Sequence, residues 1–159
     1  WTKLIDDDDT QNVIGMQIWW AKGPSPSAGA VTLTLSTLTV NIGVQLISFS
    51  GVHSSPIGNV ASADTGASDT ATITTSLVTT ANASKVLAFV MNRNNAVSIP
   101  GGSIFSAILA NQVIDSGGSA GRTSSYLSSE VTTSGTTVTP SFTISAGDWT
   151  IGAVEIKSA

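Results

Sequence analysis

Lys85-Val86-Leu87-Ala88-Phe89-Val90-Met91-Asn92 is the stretch whose reading decides the fold. β-Branched and aromatic residues crowd it, it is too short for a typical buried helix, and it reads as a strand. Side chains alternate across a strand, so Val86, Ala88 and Val90 share one face and Leu87, Phe89 and Met91 the other. Both faces are apolar. A strand of an ordinary two-layer sandwich has a polar outer face, so this one requires a cover on each side. Residues 43–50 repeat the pattern, with Val44 and Leu46 set against Ile47 and Phe49.

Outward from that stretch, strand signals recur and helix signals do not. Gly, Ser and Thr interrupt every window in which a helical stripe would form. Short runs of Val, Ile, Leu, Thr and aromatics, separated by Gly, Pro, Asn, Asp and Ser, predict about ten strands, at residues 2–5, 13–21, 30–36, 43–50, 70–74, 85–92, 103–114, 121–129, 136–143 and 149–157. That count and spacing predict an all-β chain, a two-layer antiparallel β-sandwich of jelly-roll type. The last strand is expected to alternate, Val154 and Ile156 inward and Glu155 and Lys157 outward. Two connections stand out: the Pro-punctuated Gly23-Pro24-Ser25-Pro26-Ser27, and residues 53–69, rich in Ser, Ala, Gly and Asp and read as a long surface loop.

The 159 residues suit one domain spanning 1–159 with its own core. Only 10% are charged, whereas Ser and Thr fill 45 positions, so the hydrated surface is built from hydroxyls. The net charge is −4, which with six Lys and Arg leaves no basic footprint for nucleic acid. There is no apolar run long enough to span a bilayer as a helix. Cysteine is absent, so neither a disulfide framework nor a thiolate metal site is expected.

An internal two-fold repeat is suggested by two series of motifs. Gly15-Met16-Gln17-Ile18-Trp19-Trp20, Val31-Thr32-Leu33-Thr34-Leu35 and Ile42-Gly43-Val44-Gln45-Leu46-Ile47 precede Gly121-Arg122-Thr123-Ser124-Ser125-Tyr126, Val138-Thr139-Pro140-Ser141-Phe142 and Ile151-Gly152-Ala153-Val154-Glu155-Ile156 at an offset of about 106 to 109 residues. Nothing in the first copy matches residues 85–92, so an upstream strand, or one from a neighbouring chain, is expected to complete the domain.

Candidate sites are few. Asp6-Asp7-Asp8-Asp9 offers carboxylates for a hard cation, but adjacent residues diverge in an extended chain; a solvated hairpin loop is expected and no metal or other cofactor is assigned. His53, the single histidine, follows Ser50-Gly51-Val52; no Gly-x-Ser-x-Gly elbow accompanies it, and catalysis is not expected. Alternation in residues 13–21 sends Met16, Ile18 and Trp20 inward and Trp19 outward, as a subunit contact or a stacking surface for a sugar ring. Tyr126 occupies the corresponding place in the second series. The expected interface is therefore Trp19, Leu87, Phe89, Met91, Tyr126 and His53.

The order of motifs from Trp1-Thr2-Lys3-Leu4 through Met16-Gln17-Ile18-Trp19-Trp20-Ala21-Lys22, Val31-Thr32-Leu33-Thr34-Leu35, Leu46-Ile47-Ser48-Phe49-Ser50-Gly51-Val52, Thr74-Thr75 and Val86-Leu87-Ala88-Phe89-Val90 to Trp149-Thr150-Ile151-Gly152-Ala153-Val154-Glu155-Ile156 resembles a family of Gly/Ser/Thr-rich β-sandwich domains. That family recurs in phage virion proteins, such as decoration and fibre proteins, and in bacterial extracellular proteins. The chain departs from the pattern at Ile99-Pro100-Gly101-Gly102-Ser103, where such domains carry a Pro-Gly-aromatic turn. The resemblance implies a non-enzymatic structural domain on a virion or cell surface, a capsid decoration, fibre or filament subunit partnered by copies of itself or by a capsid or surface-layer protein. A carbohydrate-binding or adhesion module, partnered by glycans, is the second expectation.

Overall fold

A computed structural model describes residues 1–8, 14–23, 30–34, 42–66, 69–93, 98, 103–114 and 121–159. Asp9, Pro24-Ser25-Pro26-Ser27 and the Ile99–Gly102 turn lie outside the described residues. The chain is all-β, with eleven strands and no helix among the described residues. The strands are β1 (Thr2–Asp8), β2 (Gly15–Trp20), β3 (Val52–Asp64), β4 (Thr70–Thr74), β5 (Leu77–Val78), β6 (Ser84–Arg93), β7 (Phe105–Ile114), β8 (Gly121–Ser128), β9 (Thr137–Val138), β10 (Ser141–Gly147) and β11 (Trp149–Ser158).

β6 contains the Lys85–Asn92 stretch and lies at the centre of a five-stranded antiparallel sheet in the order β3-β11-β6-β8-β7. On one face of that sheet Val86, Ala88 and Val90 of β6 join Ile151 and Ala153 of β11 and Tyr126 of β8. They pack with Ile73 of β4, Phe142 and Ile144 of β10, Leu77 of β5 and Val138 of β9, which belong to the two-stranded sheets β10-β4 and β5-β9. The Phe142 ring stacks on Tyr126 at 4.4 Å between centroids and meets the Phe105 edge at 5.9 Å, aromatic geometries that add to burial. This is the sandwich core.

The other face has its own cover. β1 and β2 pair as an antiparallel hairpin, and Ile5 and Ile18 form a second apolar cluster with Val154, Met16, Ile57, Phe89 and Ile156. The two-sided apolarity of β6 and β11 is therefore answered within the chain, and β11 is buried on both faces from Trp149 to Glu155. Gly152 permits the approach: a Cβ there would stand 2.5 Å from Ile18 Cδ1 and 3.0 Å from Ile5 Cδ1.

Several expectations are corrected. Asp6 to Asp8 continue β1 and are not a hairpin loop, because the ladder runs on through Asp6↔Gln17, Asp7↔Met16 and Asp8↔Gly15. Residues 53–64, read as a loop, belong to the 13-residue edge strand β3, whose small side chains suffice because the backbone of β11 supplies the pairing. Residues 30–34 and 43–50, read as strands, carry no ladder. Glu155 points into the protein, directly across from Val86, and not to solvent. The repeat has no counterpart in the described structure: Gly15–Trp20 is a hairpin strand and Gly121–Ser128 lies within the large sheet.

Gly152→Val tests the hairpin packing. The added branches collide with Ile18 and Ile5, so the variant is expected to lose about 1–3 kcal/mol in urea denaturation, with Trp20 fluorescence shifted red as the hairpin lifts.

Candidate interaction surface

The solvent face of the hairpin is a closed circuit of side chains. Trp19, 45% exposed, projects opposite Ile18 and Trp20, as the alternation requires. Its indole Nε1 donates to Gln17 Oε1 at 3.2 Å, and Gln17 Nε2 donates to Asp6 Oδ1 at 2.8 Å. Lys3 closes the ring: its ammonium pairs with Asp6 and sits 5.6 Å from the Trp19 ring centroid, within cation–π range. The register brings these residues together, since Lys3 lies opposite Trp19 and Asp6 opposite Gln17. Lys3 first, and then the Gln17 amide, hold the Asp6 carboxyl below its ordinary value. The outcome is an exposed aromatic ring in one defined orientation, with Trp1 exposed on the same hairpin.

Beyond the hairpin, large apolar residues are exposed singly at Phe49, Val60, Val78 and Ile104 and together in two stretches. Val31 and Leu33 are exposed in residues 30–34, and Ile42, Val44 and Leu46 in residues 42–46. The second stretch alternates in the wrong sense for a solvated strand. Val44 and Leu46 are 57% and 67% exposed, whereas Gly43, Gln45 and Ile47 between and beside them are half-buried. The Gln45 amide anchors the inner side, Nε2 donating to Thr123 O at 3.1 Å and to Thr123 Oγ1 at 3.2 Å on β8. Gly43, Gln45 and Ile47 thus face in, while Val44 and Leu46 face out.

The remaining expected interface residues are dispersed. Leu87 is 4% exposed, and Phe89 and Met91 are half-buried, Phe89 against the hairpin cluster. The expected free face of β6 is therefore not open: Leu87 is buried, and Phe89 packs on the hairpin cluster. Tyr126 is no surface platform: it is 2% exposed, stacked on Phe142, and burial pushes its phenol up against an opposing hydrogen bond from Ser124. His53 is exposed near the start of β3, where its Nδ1 accepts from Ser55 N at 3.0 Å. Among the described residues no group of three His, Asp or Glu side chains is placed to hold a metal ion.

Sequence reading missed Glu155, fully buried at the end of the main core. Its Oε2 accepts from Asn59 N at 3.0 Å and Thr80 Oγ1 at 2.8 Å, its Oε1 accepts from Ala81 N at 3.1 Å, and Thr80 N reaches both oxygens at 2.9 Å. A Cβ at Gly58 would fall 1.9 Å from Oε2, so the cradle requires glycine there. A lone Glu in an alternating strand gives no sequence signal of such a role.

No protein-family model matches the chain, and neither does any curated protein or solved structure. No helix of the described residues is long and apolar enough to cross a membrane.

Substitution separates the buried from the exposed residues. Leu87→Asp places a charge at a buried position and is expected to cost at least about 3 kcal/mol, whereas Trp19→Ala is expected to stay within about 0.5 kcal/mol of wild type; thermal unfolding of both distinguishes them.

Proposed function

We propose that this chain is a non-catalytic structural module of a virion or cell surface, a decoration, fibre or filament subunit that assembles chiefly with copies of itself. The observation that carries the reading is the inverted alternation of residues 42–46. There Val44 and Leu46 face solvent over a Gln45 tied to β8. Exposed aliphatic rows mark association surfaces, and burying them recovers about 25 cal/mol per Å². Low charge supports it further, because 10% charged residues leave little repulsion between copies. The motif resemblance to virion and extracellular β-sandwich domains points the same way. The reading is tested by native mass from size exclusion with light scattering. A defined oligomer or polymer is expected, reduced to monomer by Val44→Ser with Leu46→Ser while the fold is retained. A monomer at high concentration argues for docking on a separate capsid or surface-layer protein, and capsid binding becomes the next measurement.

A second reading, glycan recognition, rests on the Trp19 circuit. A fixed, exposed indole flanked by the Lys3, Asp6 and Gln17 polar groups is the kind of surface on which a sugar ring stacks while its hydroxyls find partners. It predicts glycan-dependent quenching of tryptophan fluorescence that disappears in Trp19→Ala. Absence of quenching across a glycan array removes it.

A further inference from the structure

The Glu155 cradle joins three separate parts of the chain. The carboxylate belongs to β11, Asn59 and Gly58 to β3, and Thr80 and Ala81 to the connection between β5 and β6. On one side of it the β3–β11 ladder is regular, pairing Thr150↔Asp64 through Val154↔Val60. Opposite Glu155 the register slips: two steps along β11, from Val154 to Ile156, span three on β3, from Val60 to Ile57, and a second slip precedes Ser158↔Val52. Within residues 52–59 Pro56 is buried and Ile57 packs on the hairpin cluster, whereas the backbone at Gly58 and Asn59 sits in an irregular ladder held by the carboxylate, with single hydrogen bonds nearby such as Asn59 Nδ2 to Val78 O at 2.7 Å and Lys22 Nζ to Ser54 O at 2.6 Å. A bulge filled by a side chain of the partner strand depends on that side chain keeping its acceptors.

We propose that Glu155 is an acid-sensitive latch: when its carboxylate takes up a proton, the Gly58–Asn59 segment of β3 and the Thr80–Ala81 corner release from the sheet while the core between β6, β11 and β10 stays folded. Protonation turns one oxygen from acceptor into donor. The donors it faced, the amides of Asn59, Thr80 and Ala81 and the Thr80 hydroxyl, cannot all be satisfied by a neutral acid. No cation compensates. The ion pairs among the described residues are Lys3–Asp6 and Arg93–Asp148. Lys157, on the same face of β11, is partly exposed, and Lys85 projects from the opposite face of β6. On β3, His53 and Asp64 stand at the two ends of the strand, Arg93 lies at the far end of β6, Asp148 precedes β11, and Glu130 is exposed beside Val131. None of these forms an ion pair with Glu155.

Burial raises the Glu155 carboxyl, but the Thr80 hydroxyl and the amides of Asn59, Thr80 and Ala81 outweigh it and hold the group below its ordinary value. A carboxyl held low in the folded state stabilises the fold at every pH above the unfolded value, and that contribution is lost as pH falls through the folded value. Release therefore belongs to acid conditions below the ordinary glutamate range and is silent at neutral pH.

The experiment is residue-resolved hydrogen exchange on the whole chain from neutral pH to about pH 3, expressed as protection relative to the intrinsic rate at each pH. Protection at Asn59, Thr80 and Ala81 is expected to fall at least about tenfold on acidification, while Ala88, Val90 and Ile151 keep theirs. Glu155→Gln is expected to show low protection at these three amides already at neutral pH, with no further pH dependence. Thr80→Ala removes one hydrogen bond to the anion and is expected to move release to higher pH. The proposal is overturned if the three amides stay protected in acid, if they exchange only together with the core, or if Glu155→Gln keeps the wild-type pH profile. Since the wild-type profile alone decides the first two outcomes, a poorly folding variant leaves the test intact.

Discussion

The rest of the structure depends on the burial of both faces of β6 and β11. A strand pair apolar on both sides is unstable in water unless something packs on each side, and here the two covers differ in kind. The β10-β4 and β5-β9 sheets supply a broad aromatic and aliphatic core, with Phe142 between Tyr126 and Phe105. A two-stranded hairpin supplies the other cover, and a hairpin alone is marginally stable in water. It persists by pressing Ile5 and Ile18 onto Gly152 and Val154, a contact made possible by the missing side chain at residue 152. The sheet thus stabilises the hairpin and the hairpin completes the sheet.

Glu155 is the polar exception inside that arrangement. Replacing a buried carboxylate by a well-packed apolar residue is often neutral or stabilising, so its burial is no proof of strength. Its value lies in geometry. Three backbone amides converge on it from β3 and from the β5–β6 connection, where the β3–β11 ladder slips. Hydroxyls perform the same service nearby. The buried Thr79 gives its Oγ1 to Thr133 O and Thr136 O at 3.2 and 3.3 Å, while its backbone N–H donates to Thr136 O at 2.9 Å. A chain this poor in charge closes its corners with Thr and one Glu.

Legibility in the sequence followed the source of each element's stability. β4, β6, β8 and β11 were readable to within a residue or so; β6 and β11 are buried by their own apolar side chains, whereas β4 and β8 were bounded by the Gly, Ser and Thr clusters around Ile73 and Tyr126. β3 was not readable: His53-Ser54-Ser55 and Ala61-Ser62-Ala63 resemble a loop, and only pairing with β11 makes them a strand. Residues 30–34 and 43–50 failed in the opposite sense, strand-like in composition yet without a ladder. The outward projection of Trp19 was legible from alternation alone, but its circuit with Lys3, Asp6 and Gln17 needed the hairpin register, which a one-residue shift between Lys3 and Ile5 sets. Tyr126 and Glu155 were assigned to the wrong side because period-two reasoning supposes one wet face, and β8 and β11 lie in a sheet covered on both.

The rule that explains β6 also bears on residues 42–46. Two-sided apolarity at β6 and β11 demanded a second cover, and the β1–β2 hairpin provides it over β11 and at Phe89. At residues 42–46 the same demand is present, since Val44 and Leu46 point away from a stretch already tied down through Gln45. Among the described residues nothing of this chain lies over these side chains, and a chain with so few charges presents little to keep another molecule away. The proposed association therefore rests on three observations: the exposed row Val44 and Leu46, the Gln45 anchor on β8, and the low charge of the chain.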